Sequence, residues 1–366
     1  MPKIRIREAD LTTNEQAEIK NTIFMLDASV KDGAPKLIEK ADDAKNLANK
    51  DLIEKIINLG GAVVVAKSYA TAKEYLKDRN QFDIKFLLAK QVTEETDTQA
   101  ELTAAIEVAK ARRDCCVVYT KTSVAFTATE SNALKALVNA TESADTADAF
   151  LSEETGNVGK YVLAFYGDGL MYGTASSLDA GVAYILAYLQ AAQTNPEWLA
   201  VAGSKRGYIP VANIDCNFMK ESDIDDIQPN DCKKISCNPI VKMNPWGVRI
   251  WGNRTCFCDG SGNGLVASSF ANLRVLTCDI KKALYKSARK YQFEQNTDVL
   301  WVNFQSSVNT LLEEMVQSYG IAGYRWFREE TTDRAKLKAT LQIVPVEPVE
   351  DFDLTLELVD SLEVTE

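Results

Sequence analysis

The order of apolar and polar positions predicts a first half in which helices and strands alternate. Short apolar or β-branched runs indicate buried strands at 23–26, 62–66, 82–89, 115–119 and 161–166. Helical spacing of the apolar residues between them predicts helices at 50–58, 71–78, 98–112, 131–141 and 178–192. Gly60 and Gly61 stand where the first helix is expected to stop. Because such alternation is typical of βαβ units, we expect an α/β layer built on a largely parallel sheet.

The pattern changes after residue 195, where turn-forming residues become common and few helical runs occur before 279. The clearest later element is a helix over 298–319, which Thr297 is expected to cap and Gly320 to end. Its apolar residues recur three and four positions apart: Trp301, Phe304, Val308, Leu311, Leu312, Met315, Val316 and Tyr319. Strands are predicted at 336–344 and 352–359, with two prolines between them. We therefore expect a second domain, of the α+β class.

The composition indicates a globular protein that neither inserts into a membrane nor binds nucleic acid. Hydrophobic residues make up 46% of the chain and charged residues 25%, which are ordinary values. No apolar run approaches the roughly 20 residues that a bilayer crossing needs, and no signal-peptide pattern follows Met1. The net charge of −11 and the pI near 4.9 disfavour nucleic acid, whose phosphates are bound by clustered lysines and arginines.

Catalytic and metal chemistry find little support in the residue types. The chain has no histidine, which excludes Ser-His and Cys-His nucleophile pairs. The eight cysteines include the pairs 115/116, 232/237 and 256/258, none of which has the C-x2-C spacing of a zinc knuckle. Glycine-rich segments at 167–173 and 260–264 fit no nucleotide fingerprint, and acid pairs at 225–226 and 313–314 are expected on solvated surface. We predict no catalytic residue, no metal and no cofactor.

One run, residues 247–255 with the sequence GVRIWGNRT, combines glycines, arginines and a tryptophan. Gly247 and Gly252 allow close backbone approach at either end of a short strand, and Trp251 is a large residue suited to a buried anchor. Arg249 and Arg254 are cations suited to carboxylate partners. The run resembles the G-x-R-V-W-G-A-R-T signature of contractile phage tail sheath proteins.

Other segments resemble the same family in the same order along the chain. Residues 58–61 (NLGG), which lead into the apolar strand 62–67, resemble the N-G-G element of these proteins. Residues 198–207 (WLAVAGSKRG) resemble their W-x-A-P-A-G-x-x-R-G segment. Residues 238–240, 293–296 and 343–352 resemble the elements N-P-I, F-E-P-N and P-V-x-P-x-E-F. The resemblance extends from about residue 58 to 352 and is densest after Trp198.

The resemblance implies a structural protein and not an enzyme: a tail sheath subunit that polymerises around an inner tail tube and contracts to drive the tube through the host envelope. The implied partners are further copies of the chain in a helical homo-oligomer of stacked rings, together with the tail tube protein, the baseplate and the tail terminator. The implied location is the virion tail, after assembly in the host bacterial cytoplasm. The alternative is a cytoplasmic α/β small-molecule enzyme with a second substrate domain, which would need a pocket of perturbed titratable groups.

Both ends of the chain have the alternation of a strand without a partner nearby in sequence. One end carries Lys3, Ile4, Arg5, Ile6 and Arg7, and the other carries Asp353, Leu354, Leu356, Glu357 and Leu358. Because unpaired strand edges seek another edge, we expect both ends to be arms that join a neighbouring subunit's sheet. The alternative is that they fold back or are disordered tails.

The fold class expected from these patterns is α/β plus α+β, in a two-domain sheath subunit with extended terminal strand arms. The expected division is an arm and linker at 1–21, an α/β unit at 22–195 that partly faces outward, a conserved sheath domain at 196–349 and an arm at 350–366.

A basic cluster stands out in this acidic chain: Lys281, Lys282, Lys286, Arg289 and Lys290. On a helix these residues fall broadly opposite Ile280, Ala283, Leu284, Ala288 and Tyr291. We predict that the basic face meets an acidic tube or an acidic neighbouring subunit. The alternative is a helix face that is merely solvated.

Overall fold

The computed structural model describes residues 21–91, 99–138, 156–173, 176–262, 264–331 and 335–349. Its strands are β1 Thr22–Leu26, β2 Lys36–Ile38, β3 Ala62–Ala66, β4 Phe86–Lys90, β5 Cys116–Lys121, β6 Val162–Tyr166, β7 Met171–Tyr172, β8 Ser176–Ser177, β9 Asn238–Met243, β10 Gly247–Ile250, β11 Ile321–Glu329 and β12 Lys338–Pro345. Its α-helices are α1 Lys50–Asn58, α2 Tyr69–Lys77, α3 Ala100–Arg112, α4 Ala128–Lys135, α5 Ala180–Ala192, α6 Gly203–Arg206, α7 Glu221–Ile227, α8 Ala271–Lys290 and α9 Asp298–Gln317. Within these ranges, no helix has both the length and the apolar character that a membrane crossing requires.

The main sheet has eight strands in the order β10-β9-β6-β5-β4-β1-β3-β2. Its six inner strands run parallel, and β2 and β10 pair antiparallel at the two edges. All six residues of β5 (CVVYTK) are buried, as are the last four of β3 (AVVVA). Strands that are apolar on both faces belong in a sheet that is covered on both sides. The α/β layer expected from the alternating pattern is therefore the sheet that forms.

This sheet crosses the domain boundary that the sequence placed between residues 195 and 196. β9 lies beyond that boundary, yet it pairs in parallel with β6 through Phe165 and Asn238, and β10 extends the edge further. The core around the sheet runs from Ile23 to Cys278. The change in composition after 195 therefore does not mark the end of the main sheet, because β9 and β10 join its edge.

The helix ends follow local capping chemistry, which explains where the predicted bounds were accurate and where they were not. α1 has the predicted bounds, and Gly60 takes the left-handed φ of +83° just beyond it. α4 starts earlier than expected and ends at Lys135, well before the predicted 141. Its start is fixed by Thr127 and Glu130, which form a capping box.

A second, smaller core forms where α8, α9 and the hairpin β11-β12 meet. Its buried residues are Trp198, Leu276, Ile280, Phe304, Val308, Leu312, Met315 and Ile321. Helix α8 contributes to both cores, because Val275 and Cys278 belong to the large core while Leu276 and Ile280 belong to the small one. The sequence pattern indicated few helical runs between 196 and 279, whereas α8 begins at Ala271, and it assigned no strand to β11. The two cores are therefore joined through one shared helix.

Candidate functional site

The signature run 247–255 forms the edge of the main sheet and the segment that leaves it. Gly247, with φ +75°, opposes Met243 at the start of β10, and Ile250 opposes Ile240 at its end. Val248 and Ile250 are buried. Trp251 is half-buried and donates its backbone N–H to the Pro239 carbonyl at 2.9 Å. The run was expected to be a strand over most of its length, but the ladder ends at Ile250.

Arg249 ties this edge to the segment that carries the second family element. Its Nε donates to the Ser204 carbonyl at 3.4 Å, its Nη1 donates to the Val248 carbonyl at 2.8 Å, and its guanidinium lies 5.1 Å from the centre of the Tyr208 ring. The Ile250 N–H donates to the Gly207 carbonyl at 2.9 Å. The hydrogen bonds of Arg249 thus go to backbone carbonyl groups and not to the carboxylate that the sequence suggested. Through the Ser204 carbonyl, Arg249 links β10 to the segment 198–207.

Asn238 holds the same run from inside the sheet. It is fully buried, its amide donates to the carbonyls of Ala164 (2.9 Å) and Arg254 (2.8 Å), and its Oδ1 accepts the Arg254 N–H at 2.6 Å. Gly252 lies beside it, and a Cβ there would stand 2.7 Å from Asn238 Oδ1 and 1.8 Å from Nε2 of Gln228. Only glycine fits this position without displacing those groups.

The last part of the run fixes the start of α8. Asn253 Nδ2 donates to Asn272 Oδ1 at 2.7 Å, and Asn272 Nδ2 donates to the Trp198 carbonyl at 3.2 Å. Arg254 is buried, donates to Asn230 Oδ1 at 3.1 Å and lies 5.2 Å from the centre of the Phe270 ring. Three elements that the sequence singled out separately, at 198–207, 238–240 and 247–255, therefore meet at one junction. The contacts at this junction are hydrogen bonds that hold the segments together.

Trp198 connects this junction to the small core. Gly320, at the end of α9, lies against its ring, and a Cβ at position 320 would stand 2.5 Å from Trp198 Cδ1. The sequence predicted that Gly320 caps α9. The left-handed residue is instead Tyr319, with φ +59°, and the Gly320 N–H donates to the Met315 carbonyl at 2.8 Å. Glycine is required at 320 by the tryptophan rather than by its own backbone conformation.

The hairpin β11-β12 is a two-stranded sheet in the part of the chain that the structure describes. One face packs on the small core through Tyr324, Trp326, Leu341 and Ile343, and Trp326 Nε1 donates to Asn309 Oδ1 at 2.8 Å. Exposed and half-buried residues alternate along β12. Two-stranded sheets are marginal unless another element covers one face, which α9 does here.

The basic cluster on α8 is largely directed at the chain's own α/β unit. The ammonium groups of Lys282 and Lys286 each lie 2.7 Å from a carboxylate oxygen of Asp83, and Lys281 donates to the Tyr161 hydroxyl at 3.1 Å. Lys282 is only 2% exposed, the same as Ile280. Lys282 therefore does not lie on a solvent-facing basic side of α8 as expected. Two cores cover this helix, and its long side chains reach the partly buried Asp83.

The two lysines lower the pKa of the Asp83 carboxyl group. Burial alone would raise the pKa of its carboxyl group, but Lys282 and Lys286 outweigh burial and lower that pKa to about 2. Arg289 and Lys290 are exposed at the end of α8, and Arg289 donates to Asn80 Oδ1. Nothing in the sequence around Asp83 indicated this clamp, since its partners are about 200 residues away.

The predicted arm residues at 3–7 and 353–358 lie outside the described residues, as does most of the predicted linker at 8–21. Of the residues named in advance, the signature set Gly247, Arg249, Trp251, Gly252 and Arg254 is brought together at the junction. The basic cluster stands on a single helix that the Asn253–Asn272 contact anchors there. A role for either set in assembly stays a prediction.

The clefts at the carboxyl ends of β5 and β6 are where a doubly wound sheet would hold a small molecule. One, of about 360 Å³, is lined mainly by apolar and lysine side chains, among them Val124, Phe126 and Lys233, and also by Ser131 and Asp226. The nearby Glu130 has a lowered pKa. Burial opposes that lowering, and the side-chain bonds from Lys121 and Tyr119 outweigh burial. This carboxylate is wholly buried in its ion pair and does not face the cleft. Among the described residues, no group of three or more cysteine, aspartate or glutamate side chains is arranged to hold a metal ion.

Comparison with known proteins identifies the fold. No model of a known protein family matches the chain. A tail sheath protein of Vibrio phage KVP40 is 24% identical over 178 residues, which are 47% of this chain and 25% of the phage protein. The match thus spans about a quarter of the length of that relative.

Solved structures match over nearly the whole chain. A chain of the anti-feeding prophage baseplate has a TM-score of 0.66 at 14% identity, covering 98% of this chain and 99% of that one. A chain of an extracellular contractile injection system, the PVC sheath complex in its contracted state, gives 0.63 at 13% identity, covering 98% and 97%. The sheath tail protein of Desulfitobacterium hafniense gives 0.58 at 10% identity, covering 94% and 100%.

The fold is therefore that of the subunits of contractile sheaths. The resemblance to contractile tail sheath proteins that the sequence motifs indicated is confirmed.

Proposed function

We propose that this chain is the structural subunit of a contractile sheath, which polymerises around an inner tail tube and contracts to drive the tube through the host envelope. The observation that carries the proposal is the match to a subunit of a contracted sheath over 98% of this chain and 97% of that one. That both chains are covered almost completely supports a role built on the shared fold. Function then resides in interfaces and not in a pocket.

The proposal is tested by negative-stain microscopy of the purified full-length chain. A sheath subunit is expected to form rings or tubes at high concentration. Protein that stays monodisperse and monomeric at high concentration and low temperature would contradict the proposal and favour the enzyme alternative. Static light scattering on the same sample reports the same distinction in solution.

The partners follow from the same proposal. They are further copies of the chain in a helical assembly of stacked rings, and then the tail tube, the baseplate and the tail terminator. Two observations support them: similar chains occur in a baseplate and in a contracted helical sheath, and the phage relative is named a tail sheath protein. The proposed location is the virion tail, after assembly in the host bacterial cytoplasm.

The terminal arms would join subunits through the hairpin β11-β12. Its inner face already packs on α9, and Val299 and Val302 in the first turns of α9 remain 68% and 59% exposed. Added strands would pair with the hairpin edges and bury Ile4 and Ile6, or the leucines of 354–358, against such apolar surface. Lys3, Arg5 and Arg7 can then lie across from Asp353 and Glu357, where opposite charges contribute about 0.2–1 kcal/mol per pair.

Truncation tests the arms. Chains lacking residues 1–7 or 353–366 are expected to be soluble and folded, because the residues of the two described cores lie between 23 and 343. They are also expected to form no tubes. A matched control is a chain in which Lys3, Arg5 and Arg7 become Gln, which keeps the strand pattern and should still assemble, with weaker salt dependence. Truncated chains that build normal sheaths would refute the proposed role of the arms in joining subunits.

Contraction requires two packings of the same subunits that differ in free energy, with folded units moving as rigid bodies about bending segments. The junction at 198–207, 238–240 and 247–255 supports a rigid unit, because buried hydrogen bonds connect all three segments. The polar segment 8–21 is the proposed hinge. Prolines introduced there should block contraction while leaving the denaturation midpoint unchanged; normal contraction in such a variant would count against the hinge.

The tube contact is proposed for the exposed end of the basic cluster, at Arg289 and Lys290. Reversing their charge to Glu should weaken binding to the tube, and more so at low salt. Charge reversal that leaves tube binding unchanged would reject this contact. Lys281, Lys282 and Lys286 belong to the same predicted set, but a change at Lys282 or Lys286 also breaks the clamp with Asp83, so it cannot report on the tube alone.

A further inference from the structure

Two thiols from distant parts of the chain meet in the interior. Cys116 opens β5 in the centre of the main sheet, and Cys278 lies in the first half of α8. Their sulfur atoms are 3.8 Å apart, and each residue is 1% exposed. A disulfide has a sulfur–sulfur distance of about 2.05 Å. The two sulfurs are thus in contact, and bond formation requires them to approach by less than 2 Å.

The surroundings of Cys278 favour its thiolate. Arg274 and Lys281 stand four residues before it and three after it, so all three side chains lie on one face of α8. Both cations also lie over the Tyr161 ring, at 5.0 and 5.4 Å from its centre, which holds them on this side of the helix. The hydrogen bond from Cys116 lowers the pKa of the Cys278 thiol against the effect of burial, and Lys281 and Arg274 add to the lowering.

We infer that Cys116 and Cys278 form a redox staple, a thiol pair that a peroxide converts to a disulfide and that joins α8 to the central strand of the sheet. In the first step the Cys278 thiolate attacks one peroxide oxygen, giving a sulfenic acid and hydroxide, which takes up the proton that the thiol released. In the second step the Cys116 sulfur attacks the sulfenic sulfur, and the leaving hydroxyl departs with the Cys116 proton as water. Two thiols and one hydrogen peroxide give one disulfide and two waters.

A disulfide at this place would affect the stability of the whole subunit. α8 is the helix shared by the two cores, and the bond would close a loop of 162 residues between β5 and α8. A cross-link that closes so long a loop restricts the unfolded chain strongly. The pair would stay reduced in a reducing cytosol and become oxidised in an oxidising exterior. Subunits that leave the cell would thereby be stabilised after they have folded.

The other cysteines provide matched controls. Cys115 adjoins Cys116, is fully buried and has its pKa raised to about 12 by burial, so it lacks the activated character of Cys278. Cys216 is buried elsewhere and directs its thiol to the Ile240 carbonyl. A variant that retains the 116/278 pair but lacks Cys115 also removes the ambiguity of two cysteines in one proteolytic peptide.

The test treats the folded, full-length chain with hydrogen peroxide, blocks the remaining thiols in denaturant and maps the peptides by mass spectrometry. We expect a linked peptide between Cys116 and Cys278 in the Cys115→Ser background, and none in Cys116→Ser or Cys278→Ser. The oxidised protein should have a higher urea midpoint than the reduced protein, and dithiothreitol should reverse the increase. The Cys278→Ser variant should show no such increase.

Two results would overturn the staple. One is a folded protein whose 116/278 pair stays reduced under peroxide while the same pair links readily in urea, which would show that the native geometry prevents the bond. The other is a linked pair whose reduction leaves the urea midpoint unchanged. Because the readouts are a covalent link and a midpoint, they do not depend on whether the chain assembles into a sheath.

Discussion

The clamp between Asp83 and α8 provides the sharpest test of how the two cores are joined. Asp83 precedes β4, and its two carboxylate oxygens each accept one lysine of α8 at 2.7 Å. Replacing Asp83 by Asn removes the charge while preserving the shape of the side chain. Lys282, which is 2% exposed, then keeps its positive charge in the interior without this partner.

The magnitude follows from the pKa of Asp83 and from the burial of its partners. A fall from the ordinary value of 3.8 to about 2 corresponds to about 2.5 kcal/mol, at about 1.4 kcal/mol per pKa unit. Removing one partner of a fully buried pair costs about 3–5 kcal/mol. Asp83 and Lys286 are 25% and 34% exposed, so the lower part of that range applies. We expect Asp83→Asn to lower the free energy of unfolding by about 2–3 kcal/mol at neutral pH.

The assay is urea denaturation of the full-length chain, compared with Asp32→Asn. Asp32 pairs with Lys67 at 2.8 Å, almost the same distance, but both side chains are more than 40% exposed. Exposed pairs contribute about 0–1 kcal/mol, so this control should stay within about 0.5 kcal/mol of the unmodified chain. The two variants thus separate the effect of burial from the loss of a negative charge.

The pH dependence has a definite sign. Because the pKa of Asp83 is lowered on folding, its contribution is fully present above about pH 4 and is lost as the pH falls through about 2. The difference between the unmodified chain and Asp83→Asn should therefore shrink below pH 4. A cost below about 0.5 kcal/mol at neutral pH, equal to that of the control, or a difference that persists unchanged at pH 2, would refute the clamp.

Two further predictions concern the junction. Gly320→Ala places a Cβ 2.5 Å from Trp198 Cδ1 and should lower the stability measured in a thermal melt by about 1–3 kcal/mol. The control Gly323→Ala has open space around its Cβ and should cost under about 1 kcal/mol. Equal losses in the two variants would contradict the contact with Trp198. Asn238→Ala removes the side-chain donor to the buried carbonyls of Ala164 and Arg254, and it should lower the free energy of unfolding in urea by about 2–4 kcal/mol. The control Asn217→Ala removes an exposed hydrogen bond to Asp168 and should be near neutral. If Asn238→Ala leaves the stability unchanged, Asn238 does not hold the junction as described.

The sequence predicted local elements better than their assembly, for a physical reason. Alternating patterns and caps are local, so the bounds of α1 and β3 were predicted to the residue and Thr297 was recognised as the cap of α9, whose Leu300 N–H it accepts at 3.2 Å. The assignment of β9 to the main sheet depends on an edge formed about 70 residues earlier, at Phe165. No local pattern carries that information.

The junction shows the same limit at the level of single residues. The motifs drew attention to 198–207, 238–240 and 247–255, but not to their convergence. Gln228, whose Nε2 donates to the Trp251 carbonyl at 3.0 Å, had no signal in the sequence. Arg249 and Arg254 were expected to meet carboxylates because guanidinium groups commonly do, yet in the structure they contact carbonyl, amide and aromatic groups. Hydrogen bonds from a side chain to backbone groups depend on which segments are adjacent in the folded chain, and the sequence does not show this.

A cryo-EM reconstruction of the polymer formed by the full-length chain tests whether this chain works as a sheath subunit joined by its arms. We expect a helical array in which the hairpin β11-β12 gains strands from neighbouring subunits, formed by residues within 2–7 and 353–358. Compact single particles without helical order, or a helical array in which both edges of the hairpin remain uncovered, would contradict it.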